Sequence, residues 1–113
     1  MPREPKAYLH DMSLAAALIA EFTAGLDFSA YAADAMVRAA VERQFEIIGE
    51  ALGRLAKLDP GTADRISEHR RIIAFRNILV HGYIGVDDML VWDVVATRLG
   101  DLRPEVEELL GLG

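Results

Sequence analysis

Apolar residues recur at spacings of three and four along nearly the whole chain. Tyr8, Met12, Ala15, Ile19 and Phe22 form one series, and Val37, Val41, Phe45, Ile48, Leu52 and Leu55 a second. Trp92, Val95, Leu99, Leu102, Val106 and Leu109 form another near the C-terminal end. Each series is one stripe on an α-helix, and no segment alternates apolar and polar residues over a strand's length. The pattern predicts an all-α protein. Short connections favour antiparallel neighbours, hence an up-down bundle of about four long helices. A length of 113 residues suits one domain over the whole chain, with no repeat or linker in view.

The breaks fall between the stripes. Gly25-Leu26-Asp27 ends the first helix, and Asp27, Ser29 or Asp34 can cap the next. Asp59 fits an N-cap with Pro60 at the first helical position. Gly82 and Gly85 bracket the end of the third helix, which is expected from about Asp64 to His81, and Asp87 fits the cap of the fourth. Pro104 lies inside the fourth pattern, where it removes the hydrogen bond to the Gly100 carbonyl, so a kink or break is expected there. Gly49 and Gly53 lie on one face of the second helix, each costing about 1 kcal/mol relative to Ala. They imply close approach of another backbone, either within the chain or from a second copy.

With 52% apolar and 27% charged residues the composition is globular rather than disordered. The absence of cysteine excludes disulfides, thiolate zinc sites and a cysteine nucleophile. The best uncharged run, Met12 to Ala20, is too short for a bilayer span and lacks a signal-peptide layout, so a cytoplasmic protein with no membrane partner is expected. A net charge of −6 disfavours a generic nucleic-acid binder. Any RNA role must rest on a local patch.

Such a patch exists. Residues 65–81 contain four Arg and one Glu, a balance of +3 against −9 for the remainder, and hold two of the three histidines. On a helix Arg70, Asn77 and His81 share a face, and His69 and Arg76 share a neighbouring one. Ile72, Phe75 and Leu79 point elsewhere and belong to the core. Arg76 offers a planar guanidinium for phosphate, His81 can move a proton near neutral pH, and Asn77 can orient either. This kit suits RNA cleavage through the RNA's own 2′-hydroxyl. One chain brings one such His, so two copies meeting across a two-fold axis would complete the site. The plainer alternatives are a histidine that only complements a helix dipole and a solvated arginine face. His10, His69 and His81 have no metal-ligand spacing, so no metal site is expected. His10 and Asp11 read as surface residues.

The order Arg76-Asn77-Ile78-Leu79-Val80-His81-Gly82-Tyr83 resembles the Arg-x4-His-x-Tyr motif of the HepT-like branch of the HEPN superfamily. Tyr8-Leu9-His10-Asp11 is similar to that family's first helix, and Ile48-Gly49-Glu50-Ala51 to its second-helix signature. Asp87 through Trp92-Asp93 is similar to its entry to the fourth helix. The resemblance covers roughly residues 7 to 110. It implies a dimeric helical bundle and a metal-independent RNase needing no cofactor, the toxin of a type VII-like toxin–antitoxin pair. The implied antitoxin is an MntA-like minimal nucleotidyltransferase that silences the toxin by moving AMP onto the motif tyrosine. Carried over by position, Arg76 and His81 are catalytic, Tyr83 is the modified residue, and Asn77 supports the site. Glu50 is expected in a supporting role and Glu46 in none, while Arg70, Arg71 and His69 are candidates for contacting RNA. The alternative is a non-catalytic HEPN module that binds a nucleotidyltransferase or a nucleotide. Under that reading Tyr83 merely packs over a helix end.

Overall fold

The computed structural model describes residues 3–82 and 85–111. Among them all regular structure is helical: α1 (Pro5–Thr23), α2 (Phe28–Ala33), α3 (Ala35–Leu58), α4 (Pro60–Ala63), α5 (His69–His81), α6 (Asp88–Thr97) and α7 (Leu99–Leu109). The all-α expectation holds. Four long stretches, α1, α3, α5 and α6–α7, make the bundle, and α2 and α4 are short helices within its connections.

Aspartates start most of these elements. The Asp27 carboxylate accepts from Ala30 N at 2.8 Å, and Asp34 accepts from Met36 N and Val37 N at 3.1 Å each. Both therefore cap, one after the other, and Ser29 lies inside α2 instead. Asp59 caps α4 with Pro60 at its first position, and Asp87 caps α6. Each carboxylate satisfies amide groups that have no partner inside the helix. Gly25 takes φ +76° where the chain leaves α1, a conformation that favours glycine.

The central helix is α3, which packs against α1, α2, α4 and α5. Its residues Val41, Ile48, Leu52 and Leu55 are wholly buried, together with Met12 and Ile19 of α1 and Val106 of α7. The predicted stripes are thus the core, apart from Phe22, Val37, Trp92, Val95 and Leu109, which pack at its margin. In α6 the fully buried position is Val91, and the Trp92 ring tilts against Tyr31 at 5.2 Å, tying α6 to α2.

Two boundaries differ from the sequence expectation. The third long helix begins at His69 rather than near Asp64. Ile66 is drawn into the core, Glu68 adopts a left-handed conformation, and the Glu105 carboxylate of α7 accepts from Ser67 N and Ser67 Oγ at 2.9 Å. A carboxylate distant in sequence thus replaces the helical hydrogen bonding that periodicity predicts. The C-terminal break falls at Arg98, upstream of Pro104, which sits inside α7. Pro104 lies within α7, where it has no amide to donate to the Gly100 carbonyl.

Loss of the Asp34 cap is expected to cost about 1 kcal/mol. Thermal melts should place Asp34→Ala about 4 °C below the parent. Ser29→Ala, which removes no cap, should change stability by less than about 0.5 kcal/mol.

Candidate functional site

The site is built on the contact between α3 and α5. Phe45 meets Phe75 edge-on at 5.4 Å, and Ile72, Phe75 and Leu79 are buried. One turn along α3 from Phe45, Gly49 lies under the stem of Arg76. A Cβ at Gly49 would stand 2.3 Å from Arg76 Cβ, 2.8 Å from Arg76 Cγ and 3.4 Å from the Ile72 carbonyl oxygen. A glycine is needed there because the arginine stem occupies the space of a side chain. Gly53 is different: nothing lies within 4 Å of a Cβ added to it. Within the chain the close approach expected of the two glycines is therefore found at Gly49.

The guanidinium that this crossing positions is left with hydrogen-bonding capacity. Arg76 Nε is buried and has no partner among the described residues. Its Nη1 donates a long 3.5 Å hydrogen bond to Asn77 Oδ1. Three neighbouring side chains face carboxylates: Arg71 Nε lies 3.1 Å from Glu68, His69 Nε2 3.4 Å from Asp64, and Arg65 4.0 Å from Glu108. Arg70, Asn77 and His81 are exposed on one side of α5, as the helical spacing requires. The RNA-contact candidates thus divide, with Arg70 free of ion pairs among the described residues and Arg71 and His69 held by carboxylates.

His81 is the last residue of α5. Space at Gly82 is tight: a Cβ there would meet Val86 Cγ2 at 2.7 Å and the Ile78 carbonyl oxygen at 2.8 Å. Glu50 is exposed and accepts from Arg54 at 3.2 Å, while Glu46 accepts from Arg43 at 3.3 Å. Within one chain, then, Glu50 is committed to its own helix and makes no hydrogen bond to Arg76 or His81. Tyr83 lies outside the described residues.

Two concavities flank α5. One is an apolar groove of about 270 Å³ between α5 and α6–α7, floored by Phe45 and Ile48, with Ile72, Phe75, Leu90 and Leu99 in its walls. The other is polar, where Arg38 and Glu42 of α3 meet Asp88 of α6 beside the end of α5. Burial, and then the Asp88 charge, raise the Glu42 carboxyl above its ordinary range, with Arg38 opposing and Glu46 adding to the rise. Burial likewise raises the Tyr31 phenol, reinforced by Glu42 and Asp88. Sequence reasoning missed this group. Its one signal was that Arg38, Glu42 and Gly49 follow one another at helical spacing on the side of α3 that meets α5. Among the described residues no set of three or more His, Cys, Asp or Glu side chains is placed to hold a metal, and no helix is long and apolar enough to cross a membrane.

An α-helical bundle with an Arg and a His on one helix beside a glycine crossing defines a class, and comparison with known proteins gives it a family. The Ribonuclease HepT-like family matches residues 12–109, and this chain belongs to it. RNase MJ1380 of Methanocaldococcus jannaschii, a provisional name, is 35% identical over 105 residues, covering 93% of this chain and 95% of its own length. A Thermococcus cleftensis protein, provisionally named ribonuclease HepT, is 35% identical over 112 residues, covering 96% and 98%. No solved structure matches the chain.

The two glycines should respond oppositely to the same change. Gly53→Ala should stabilise by about 1 kcal/mol through helix propensity. Gly49→Ala should destabilise, because the collision with Arg76 outweighs that gain, and denaturant titration of both variants checks the pair.

Glu42 gives a pH signature. Its carboxyl pKa is higher in the folded state, so the protein is penalised as pH rises through that range and not below the unfolded carboxylate value. Glu42→Gln should therefore melt above the parent near neutral pH, with the gain vanishing towards about pH 4.

Proposed function

We propose that this chain is a metal-independent endoribonuclease and the toxin of a type VII-like toxin–antitoxin pair. The observation that carries the reading is the Arg76 guanidinium: its stem is seated on Gly49, its Nε is buried and unpartnered among the described residues, and it shares α5 with the exposed His81. A buried N–H without a partner is costly, so the Nε marks a side chain held in place by packing rather than by an ion pair. The outer N–H groups of the same guanidinium face the surface and match an RNA phosphate in planar geometry.

The chemistry needs a base, an acid and a cation. One His81 takes the proton of the ribose 2′-hydroxyl, and that oxygen attacks the adjacent phosphorus. The bond from phosphorus to the 5′-oxygen breaks, and a second His81 gives its proton to the leaving oxygen. Arg76 carries the charge that builds on the phosphate, and Asn77 orients the guanidinium. The products are a 2′,3′-cyclic phosphate and a free 5′-hydroxyl. Two histidines require two chains, so the site forms in a homodimer. The exposed Ile78, Met89 and Leu90, together with the apolar groove, supply surface for the second copy. Arg70 extends the cationic face to further phosphates.

Control comes from an MntA-like nucleotidyltransferase antitoxin. It moves AMP from ATP to the Tyr83 hydroxyl and releases pyrophosphate. The adduct places a phosphodiester charge two residues beyond His81 and obstructs the RNA phosphate.

Purified protein with unmodified Tyr83 should cleave end-labelled cellular RNA in EDTA and leave cyclic phosphate ends. His81→Ala, confirmed dimeric, should lose about 10²–10⁴-fold in rate, and Arg76→Ala about 10²–10³-fold. No cleavage of any RNA pool by unmodified dimer would favour a non-catalytic module that binds the nucleotidyltransferase or a nucleotide. Tyr83→Phe should escape suppression by the antitoxin, and full suppression of that variant would remove tyrosine modification from the account.

A further inference from the structure

The polar concavity beside the end of α5 is distinct from the Arg76 position. Val80 and Gly82, the two chain neighbours of His81, form one side of it with Leu79. Arg38 and Glu42, one turn apart on α3, form the opposite side, and Gly85, Val86 and Asp88 complete an open concavity of about 490 Å³. Its charged groups come from two helices far apart in sequence, and its remaining walls are apolar.

The chain leaves these groups only partly satisfied. Arg38 Nε lies 3.7 Å from Asp88 Oδ1, and Arg38 Nη1 donates to the Ala32 carbonyl, which anchors the guanidinium and leaves further N–H groups free. Glu42, half-buried, makes no hydrogen bond or ion pair among the described residues. Behind it the Tyr31 hydroxyl is buried and also without a partner among the described residues. Burial and the facing Asp88 and Glu46 work against the ionised Glu42, and only Arg38 favours it. A ligand that donates two hydrogen bonds to Glu42 while accepting from Arg38 would offset that imbalance.

We propose that this pocket receives a guanine base from the RNA strand, belonging to a nucleotide next to the scissile phosphate. Guanine presents N1–H and N2–H side by side, matching the two oxygens of one carboxylate. Its O6, on the same edge, and its N7 accept from a guanidinium. Adenine has a single donor group on that edge, and uracil a single N–H between two acceptors. The Leu79, Val80 and Val86 side chains contact the faces of the ring, in the way unstacked bases are held in single-stranded RNA recognition. The pocket lies at the end of α5 that carries His81, with Val80 and Gly82 in its wall, so a base held there belongs to the strand passing that helix end. The source of the base rests on the ribonuclease reading, whereas recognition of guanine by the pocket does not.

The experiment uses the full chain and two readouts. Binding of the four nucleoside 5′-monophosphates, which share one phosphate, is measured by calorimetry or NMR titration. Cleavage positions on a mixed RNA pool are then mapped by sequencing. The expected result is that guanosine monophosphate binds about tenfold or more tightly than uridine monophosphate. Cleavage should be enriched at one fixed offset from guanine. Glu42→Gln, which replaces an acceptor oxygen by a donor at the same size, should erase both preferences. Arg38→Lys, which keeps the charge but loses the fork, should reduce both and guards against a single poorly folded variant. Equal binding of the four nucleotides by the parent, or preferences unchanged in both folded variants, overturns the proposal. Glu42-dependent guanosine monophosphate binding by a protein that cleaves no RNA would uphold the pocket and refute the ribonuclease reading.

Discussion

The approach of α5 to α3 at Gly49 is the contact on which the rest of the site depends. The Arg76 stem fills the volume a side chain at Gly49 would need, so two helices and one cation are positioned together. Neighbouring turns reinforce the crossing. Phe45 meets Phe75 edge-on, and Arg38 and Glu42 reach the level of Leu79 and Val80. Contacts running in opposite order along the two helices make them antiparallel. His81 is thereby delivered to the end of α3 where α6 begins.

Around that crossing the chain pairs some cations and leaves others. Asp64, Glu68 and Glu108 fold back on His69, Arg71 and Arg65, while Arg76 and Arg70 keep no carboxylate among the described residues. The local balance of +3 therefore overstates the positive field at the start of α5 and locates it better further along. Exposed ion pairs of this kind add little stability. Their effect on this helix is to leave Arg70 and Arg76 as the arginines of residues 65–81 without a carboxylate among the described residues.

Legibility in the sequence followed the range of the interactions. The apolar stripes marked the helices because burial of one face has a strict period, and the caps at Asp27, Asp34, Asp59 and Asp87 were visible because a carboxylate reaches only its own next turn. The same locality failed at Ser67, whose partner Glu105 is 38 residues away. It failed again at Pro104, where the position of the break depends on how α7 is packed. For the site, the motif on α5 and the Ile48-Gly49-Glu50-Ala51 signature were both readable as strings. That Gly49 receives Arg76, and that Glu50 turns to Arg54, was not.

The sequence by itself determined the long helical stretches, most of their N-caps, most of the core-facing residues and which side chains of α5 share a face, because each is a matter of near neighbours along the chain. Only the tertiary structure decided which glycine is a packing device, which arginines of α5 keep no carboxylate among the described residues, and that Arg38, Glu42 and Asp88 converge beside the end of α5. Those outcomes depend on contacts between helices, where a difference of an ångström selects one partner over another and no sequence period records the choice.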